Sequence, residues 1–572
     1  MLRRCLRIAI CTGVGVGSPV GLTARAQVTA PSQLTPQDLR PPAPAGEPAT
    51  ILPGASVTAP PVGDRNMTVL LREVRIDGEF SEIAAASMPL TAGLRGRRLS
   101  VAEIYAAASA LERIYHEAGY PLARVAVPPQ HLVDGGALRL LVIDGFIEAI
   151  NLDGVPARAR SVVAARTARL VGRRHLRRAE LERALLVAGD LPGLALRSTL
   201  MRGDREGGTR LILDGEHRLI SASGGVDDRL PASSGTWQLR GTMAVNSALG
   251  LGEQVYGSVG LGTNLEAAAQ GRAPLAVYGG GMVVPVGVDG LTVNPEYTHS
   301  TTRTPQAQGV VGSLGTFERV AVRLRAPISL TRTSSLYANA SVEHVDQEID
   351  APAFGVVLSH DRYAVARFGS DYVATLPWGA GIQLGMTFSG GLGGRDGIDA
   401  ATSGVPLSRL GASPDFTKVA GSFHLVQPLS WGFRWDLIST GQASFDKPML
   451  RSEQLSLDGG DAVSAFASGT LTADQGVTLR SELSRSFRLD AVGAALSPYV
   501  FGAAGRGWLA NATVIERPVF NAGSVGAGVR GVVDAVGVLP ASSLGLEAAR
   551  GFTDLPGARL GWRANAIASI AY

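Results

Sequence analysis

Arginines dominate the part of this chain that could bind a charged ligand. Between residues 156 and 183 there are only two acidic residues, Glu180 and Glu182, against nine arginines, at positions 158, 160, 166, 169, 173, 174, 177, 178 and 183. Such a segment could bind an unfolded polypeptide or anionic headgroups, and the residues we single out for that role are Arg166, Arg169, Arg173 and Arg174. The alternative is a solvated helix face, because Lys418 and Lys447 are the only lysines among 53 basic residues.

Sequence patterns for enzymatic chemistry are weak. Residues 526–531 match G-x-G-x-x-G, but strand-like residues continue through Val532 and Val533 where a nucleotide-binding fold needs a helix. Eight scattered histidines give no metal-ligand spacing, and both cysteines, Cys5 and Cys11, lie near the start of the chain. We therefore expect no enzyme activity, no metal and no cofactor. We read the arginine excess as codon bias and expect no nucleic-acid binding.

The chain opens with the pattern of a cleaved secretory signal. Three arginines precede a short apolar run, and Ala24-Arg25-Ala26 supplies a small-residue cleavage site. We predict a signal peptide at residues 1–26, with a membrane anchor as the alternative. Residues 27–66 are rich in proline, which predicts an extended linker with no packed helix or sheet.

Two similar α+β modules are predicted next, at residues 67–145 and 146–217. In the first, a strand and a short helix precede Ser100 and Glu103, which form a capping box at the start of a longer amphipathic helix. Two further strands complete the module, and the second one repeats the order strand, helix, helix, strand, strand. The sequence therefore predicts tandem copies of one small fold.

The remaining residues, 218–572, read as alternating strands divided by Gly, Pro, Asn and Asp. Apolar and polar residues alternate at 336–343 and 382–389, as in strands with one apolar face. All six tryptophans lie in this part, as expected for the aromatic girdles of a membrane barrel. The last strand ends on Tyr572, which resembles the assembly signal of bacterial outer-membrane barrels.

Length and composition support a barrel. Sixteen strands would use about 22 residues each with their turns, which suits membrane-spanning strands of roughly ten residues. The charged fraction is only 18%, and after the first thirty residues no apolar run is long enough for a membrane-spanning helix. We predict a transmembrane antiparallel β-barrel of about 16 strands, with a large soluble β domain as the alternative.

Tandem modules that lead into a C-terminal barrel resemble the two-partner secretion transporters (TpsB), the ShlB/FhaC/HecB haemolysin secretion and activation family of the POTRA plus barrel superfamily. Further similarity lies at Val226-Asp227-Asp228-Arg229 and at Leu249-Gly250-Leu251-Gly252-Glu253-Gln254. The resemblance implies periplasmic POTRA modules and a barrel in the bacterial outer membrane. It also implies type Vb export of a dedicated large exoprotein, of adhesin or haemolysin type, whose N-terminal secretion domain is captured unfolded. We expect a monomer in contact with outer-membrane lipid.

Two departures from the family pattern concern its signature pair. The family carries an arginine at the tip of a loop folded into the lumen and an aspartate on the facing barrel wall. Here the corresponding residues are Ser464, in the loop motif Val463, Ser464, Ala465 and Phe466, and Ala503, in the wall motif Phe501, Ala503 and Gly505. Losing one member of a buried ion pair costs roughly 3–5 kcal/mol, whereas losing both can be nearly neutral. The joint change therefore supports both alignments, and the loop must be held by other contacts.

Two other functions of membrane barrels are alternatives to export. An assembly factor (insertase) of the same superfamily commonly carries more than two POTRA modules. A passive porin-like channel has no need of tandem periplasmic modules. Two modules therefore favour secretion.

Overall fold

The computed structural model describes residues 49–51 and 67–571, apart from 232–233, 263–269, 271, 307–310, 491–492, 515, 534–540 and 557–560. The predicted signal peptide, most of the predicted linker and Tyr572 lie outside the described residues. Within the linker, β1 (Ala49–Ile51) pairs in parallel with residues 197–199. This corrects the expectation that the linker forms no sheet, because this stretch between Pro48 and Pro53 contains no proline and keeps its N–H donors.

The first module is a four-stranded sheet with helices against it. Its elements are β2 (Thr68–Asp77), α1 (Ala84–Leu94), β3 (Arg98–Ser100), α2 (Val101–Glu117), β4 (Arg124–Ala126) and β5 (Gly136–Ile143), and the sheet order is β3-β2-β5-β4. The predicted capping box is present, since the Ser100 hydroxyl accepts from Glu103 N and the Glu103 carboxylate accepts from Ser100 N. The sequence analysis missed the short strand β3.

The second module repeats this plan. Its elements are β6 (Phe146–Gly154), α3 (Ala157–Thr167), α4 (Arg178–Gly189), β7 (Leu194–Arg202) and β8 (Gly208–His217). The sheet order is β1-β7-β8-β6, so the linker strand covers the edge of β7. Apolar residues of both helices pack on the sheet, as the helical spacing of Leu181, Leu185 and Ala188 predicts.

The rest of the described chain forms a closed antiparallel barrel. Its first part is β9 (Ile220–Asp227), β10 (Gln238–Asn246), β11 (Gln254–Gly262), β12 (Leu275–Val286), β13 (Leu291–Thr304), β14 (Ser313–Leu330), β15 (Ser334–Ala351) and β16 (Val356–Thr375). The next part is β17 (Gly381–Gly394), helix α5 (Gly397–Ser403), β18 (Thr417–Pro428) and β19 (Phe433–Ala443). Then come β20 (Leu455–Ser456), β21 (Thr472–Ala473), β22 (Gln475–Arg485), β23 (Phe487–Leu489), β24 (Ala494–Trp508), β25 (Val519–Val533), β26 (Ala541–Thr553) and β27 (Gly561–Ala571).

Sixteen strands of the described residues make up the barrel wall when β22 and its short continuation β23 are counted as one, in agreement with the prediction. The wall closes where β27 pairs with β9 over five residue pairs, from Ile567–Asp227 to Ala571–Ser223. The β20–β21 hairpin lies outside this ring of strands, within the connection between β19 and β22.

Side chains alternate between the two faces of the wall. On β15, Val342 points outward and is exposed, whereas its neighbours Glu343 and Val345 point inward and are buried. On β17, the exposed outward residues Leu384, Met386 and Phe388 follow the predicted alternation. The outer face is therefore apolar and the lumen is lined by polar and charged groups.

Tryptophans mark both ends of this apolar face. Near the end that adjoins the second module lie Trp378, Trp431 and Trp435, and near the far end lie Trp237, Trp508 and Trp562. This arrangement matches the aromatic girdles of a membrane-spanning barrel. In the described part of the chain, no helix is long and apolar enough to span a membrane.

Candidate functional site in the barrel lumen

A long connection, residues 444–474, joins β19 to β22 at the far end of the barrel and folds back into the lumen; we call it the lumen loop. The carboxylate of Asp458 holds its hairpin together by accepting from Ser456 Oγ, Gly469 N and Leu471 N, at 2.8, 3.1 and 2.7 Å. Burial raises the pKa of Asp458 to about 6, although these hydrogen bonds oppose the shift. The loop is therefore a packed element with a titratable carboxyl inside it.

The loop tip, residues 463–466, packs against the barrel wall. Val463, Ser464, Ala465 and Phe466 are all buried, and the tip shares one apolar cluster with Phe501. Gly505 is one point where the tip approaches the wall closely, since a Cβ there would lie 3.4 Å from Val463 Cγ2. The structure thus brings the predicted loop motif and the predicted wall motif together.

Ser464 and Ala503 do not form a pair with each other. Instead, the Ser464 hydroxyl accepts a hydrogen bond from Arg480 Nη1 at 3.1 Å, and its carbonyl accepts from Asn565 Nδ2 at 3.0 Å. Arg480 lies directly across from Ala503 in the β22–β24 ladder. An arginine is therefore present at this contact, but the wall supplies it and the loop supplies a hydroxyl.

Arg480 is the centre of a buried ionic network. Its guanidinium is 1% exposed, lies 2.7 Å from a Glu547 oxygen and 3.2 Å from a Glu482 oxygen, and stacks 3.6 Å from the ring centroid of Phe501. Arg530 pairs with the other side of Glu482. Two carboxylates and two guanidinium groups balance in charge, which a buried ionic cluster requires.

This network was not predicted from the sequence. Arg480 and Glu482 occupy inward positions of β22, where they alternate with Leu479, Ser481 and Leu483. Charged residues that alternate with Leu479 and Leu483 are the signal that could have found them. Glu547 alternates with Leu546 and Ala548 on β26 in the same way, but no local pattern indicates that it and Asn565 of β27 meet Arg480.

The four arginines singled out in the second module all have partners within the chain. Arg166 is buried and donates to the carbonyl of Val187, which ties α3 to α4. Arg169 pairs with Asp289 at 2.6 Å, and Arg173 pairs with Glu180 at 2.8 Å. Arg174 donates to the Asp144 carbonyl and stacks on the Phe146 ring. Arg169, Arg173 and Arg174 are exposed, so binding of an unfolded polypeptide stays a prediction for them, whereas Arg166 is buried inside the module and is not accessible to such a ligand.

Other arginines of the same segment attach the second module to the barrel. Arg183 donates to the carbonyls of Pro327 and Ile328 near the β14–β15 turn, both at 2.9 Å, and Arg158 donates to Ala248 O at 2.7 Å near the β10–β11 turn. With the Arg169–Asp289 pair at the β12–β13 turn, three adjacent turns are fastened to one module. The module is thereby held at the mouth of the barrel.

A closed barrel with an apolar outer face, a polar lumen and docked N-terminal α+β modules defines a bacterial outer-membrane barrel of the POTRA class. No group of three or more His, Cys, Asp or Glu side chains among the described residues is arranged to hold a metal ion. The chain belongs to the family described as "Haemolysin secretion/activation protein ShlB/FhaC/HecB", whose model matches residues 207–531. Residues 69–145 match the ShlB-type POTRA domain.

Known relatives agree with this assignment. The hemolysin transporter protein ShlB of Serratia marcescens is 26% identical over 419 residues, covering 72% of this chain and 71% of the relative. Outer membrane transporter CdiB of Escherichia coli is 24% identical over 464 residues, covering 78% and 74%.

Solved structures share the fold. CdiB from Escherichia coli superposes with a TM-score of 0.68 at 20% identity, covering 91% of this chain and 94% of that one. CdiB from Acinetobacter baumannii gives a TM-score of 0.59 at 14% identity, covering 92% and 95%. The protein is a two-partner secretion transporter of the outer membrane, and its POTRA modules are periplasmic. The family is one of protein transporters and not of enzymes.

Proposed function

We propose that this transporter exports one dedicated, large partner exoprotein of the adhesin or haemolysin type. Its modules capture the unfolded N-terminal secretion domain, and the barrel passes the chain outward in extended form. The observation that carries this proposal is the lumen loop, which fills a barrel whose mouth is held against a periplasmic module. The module boundaries at residues 67–145 and 146–217 are part of the proposal.

Capture of an extended chain is supported by the edge of β7. The three residues of β1 pair there in parallel, with Ala49 opposite Arg197 and Ile51 opposite Thr199. An edge strand that accepts one extended segment through backbone hydrogen bonds can accept another of different sequence. Strand addition at this edge therefore suits a client that is recognised while unfolded.

Passage through the barrel requires the loop tip to move. The tip is buried against β22, β24 and β26, and we infer that an extended client displaces it from this position. Among the described residues, its anchors to the wall are apolar packing and hydrogen bonds of Ser464 with Arg480, Asn565 and Glu547, and none of them is an ion pair of the tip itself. Folding of the client outside, which buries apolar surface, would give the movement its direction.

The barrel surface supports a monomer surrounded by lipid. The wall closes within a single chain, and its outward positions carry an apolar band between the two tryptophan girdles. Such a surface is complementary to acyl chains. We propose outer-membrane lipid as its neighbour.

The experiment is a deletion of the gene followed by comparison of the culture-supernatant and outer-membrane proteomes with those of the parent strain. We expect one large secreted protein to disappear while other outer-membrane barrels stay at parental levels, and a plasmid copy to restore it. A broad fall in outer-membrane barrels would make the protein an assembly factor instead. Unchanged proteomes would favour a porin or a transporter that has lost its activity.

A further inference from the structure

The lumen loop contacts the barrel wall a second time, well before its tip. Residues 449–454, which we call the loop root, come before the tip and lie directly before the first strand of the β20–β21 hairpin. Met449 and Leu450 are buried in an apolar cluster with inward residues of β14, β15 and β16, among them Phe317, Val345 and Tyr363. This part of the wall is separate from the strands that hold the tip.

A buried carboxylate fastens the root. Glu453 is 2% exposed, and its two oxygens lie 2.8 Å from Lys418 Nζ and 2.7 Å from Arg367 Nη2. The Tyr363 hydroxyl donates to the same carboxylate at 2.8 Å. Lys418 Nζ and Gln442 Nε2 also donate to the Glu453 carbonyl, at 2.8 and 2.9 Å. Five contacts from strands β16, β18 and β19 therefore meet on one loop residue.

Charge distinguishes the root from the tip. Burial alone would raise the pKa of Glu453, but Lys418 and Arg367 together lower it well below its ordinary range, so the root carries a full negative charge between two cations. The tip carries no charge, since Ser464 takes part only through a hydroxyl and a carbonyl. Withdrawing the root would leave Lys418 buried without its counter-ion, whereas withdrawing the tip leaves the Arg480 network paired.

Glycines lie between the two contacts. Gly459 has a φ of +119°, and Gly460 follows it, so the loop backbone here can change direction at little steric cost. Gly469, with a φ of +78°, lies on the other side of the tip, so bending at Gly459–Gly460 and at Gly469 would let residues 461–468 move while the root and the β20–β21 hairpin stay in place. The loop thus consists of an ionic root, a glycine pair and a neutral tip.

We propose that Glu453 is a positioning residue that keeps the loop root fixed to the barrel wall, through Lys418 and Arg367, while the tip leaves. The lumen loop then moves as a hinged flap that stays inside the barrel and returns after each export event. This inference goes beyond the export function proposed above, because it concerns the movement of the loop and holds for any client.

Thiol labelling of the full-length transporter in lipid vesicles tests it. One reporter is Leu450→Cys at the root and the other is Ala465→Cys at the tip, both buried at rest. Labelling by a hydrophilic maleimide is timed in two backgrounds, Ser464→Ala and the double variant Glu453→Gln with Lys418→Gln. The double variant removes one charge of each sign, so the barrel keeps its charge balance and only the anchor is lost.

We expect Ser464→Ala to raise labelling at the tip at least about tenfold and at the root less than about twofold. The double variant raises labelling at both positions at least about tenfold. Lys447→Gln is the matched control, because the same substitution there affects an exposed lysine whose Nζ donates to the Asp415 carbonyl and takes no part in the Glu453 anchor. Heat-modifiable migration on gels reports that each barrel is folded.

Two results would overturn the proposal. One is a root that stays protected in the double variant, and the other is a root that is labelled as readily as the tip in Ser464→Ala. If the double variant fails to fold, Glu453→Asp replaces it, since this change keeps the charge and shortens the side chain by one methylene. It is expected to raise root labelling about threefold or more, and an unchanged rate would count against the anchor.

Discussion

Removal of the Ser464 hydroxyl is expected to loosen the loop tip without unfolding the barrel. Ser464→Ala deletes the oxygen that accepts from Arg480 at 3.1 Å, while Arg480 keeps both of its carboxylates, Glu482 and Glu547. Ser464 and Arg480 are 5% and 1% exposed, so water does not replace the lost bond in the seated state. A hydrogen bond to a charged group contributes roughly 1.5–3 kcal/mol. The population of the seated tip, which is packed against the wall, should therefore fall about 10- to 150-fold relative to the population of the released tip, which has left the wall.

The assay is the rate at which a hydrophilic maleimide labels Ala465→Cys, in a background without Cys5 and Cys11. In the released state the thiol is accessible, so the labelling rate follows the released population and should rise by the same factor. Asp461→Asn is the matched control, because Asp461 is an exposed residue of the same loop and should change the rate less than about twofold. A Ser464→Ala rate within that range would refute the reasoning that the Arg480 bond holds the tip.

Three further predictions concern the same loop. Ser464→Arg places a second guanidinium beside Arg480 and should impair export. Adding Ala503→Asp, directly across from Arg480, should relieve the defect. Equal export by the single and double variants would show that positions 464 and 503 do not face each other. A Cβ at Gly551 would lie 3.1 Å from Ala465 Cβ, which is close enough for a disulfide in the double variant Ala465→Cys with Gly551→Cys. This disulfide should stop export, and a reductant should restore it. Equal export with and without the reductant would mean that the tip does not move. The pKa of Asp458 is raised to about 6, so its stabilising contribution is complete below the unfolded pKa and is lost as the pH rises through 6. Because maleimide reacts with the thiolate, tip labelling is expressed relative to the labelling of an unprotected cysteine at the same pH. This ratio should be higher at pH 7.5 than at pH 5, and an Asp458→Asn variant that keeps the same pH dependence of the ratio would contradict this.

Local chemistry explains why much of the architecture was predictable. The capping box of Ser100 and Glu103 acts across one turn of helix, and alternating apolar residues identify a strand with one buried or lipid-facing side wherever that strand is placed. Tryptophans concentrated in the strand-rich part of the chain indicated aromatic girdles, because tryptophan favours the interface between membrane and water. The module order, the barrel and the approximate strand number therefore follow from short-range patterns.

The linker strand shows a limit of reasoning from composition. High proline content predicted an extended spacer with no packed sheet, yet Ala49–Ile51 pairs with β7. This segment contains no proline, and its partner on β7 lies well over a hundred residues later in the chain. No local pattern identifies which distant edge a short extended segment will meet.

By itself, the sequence determined the family, the two modules and the barrel, because these depend on residue types and short spacings, whereas the correspondence of positions 464 and 503 to the family's arginine and aspartate stays a prediction. Only the tertiary structure decided what holds the loop, since Arg480, Glu547 and Asn565 meet through strand register across the barrel. It also decided that Arg158 and Arg183 attach the second module to barrel turns. A buried charge is stable only beside its partner, and that partner is set by how the wall closes, which no local stretch of sequence specifies.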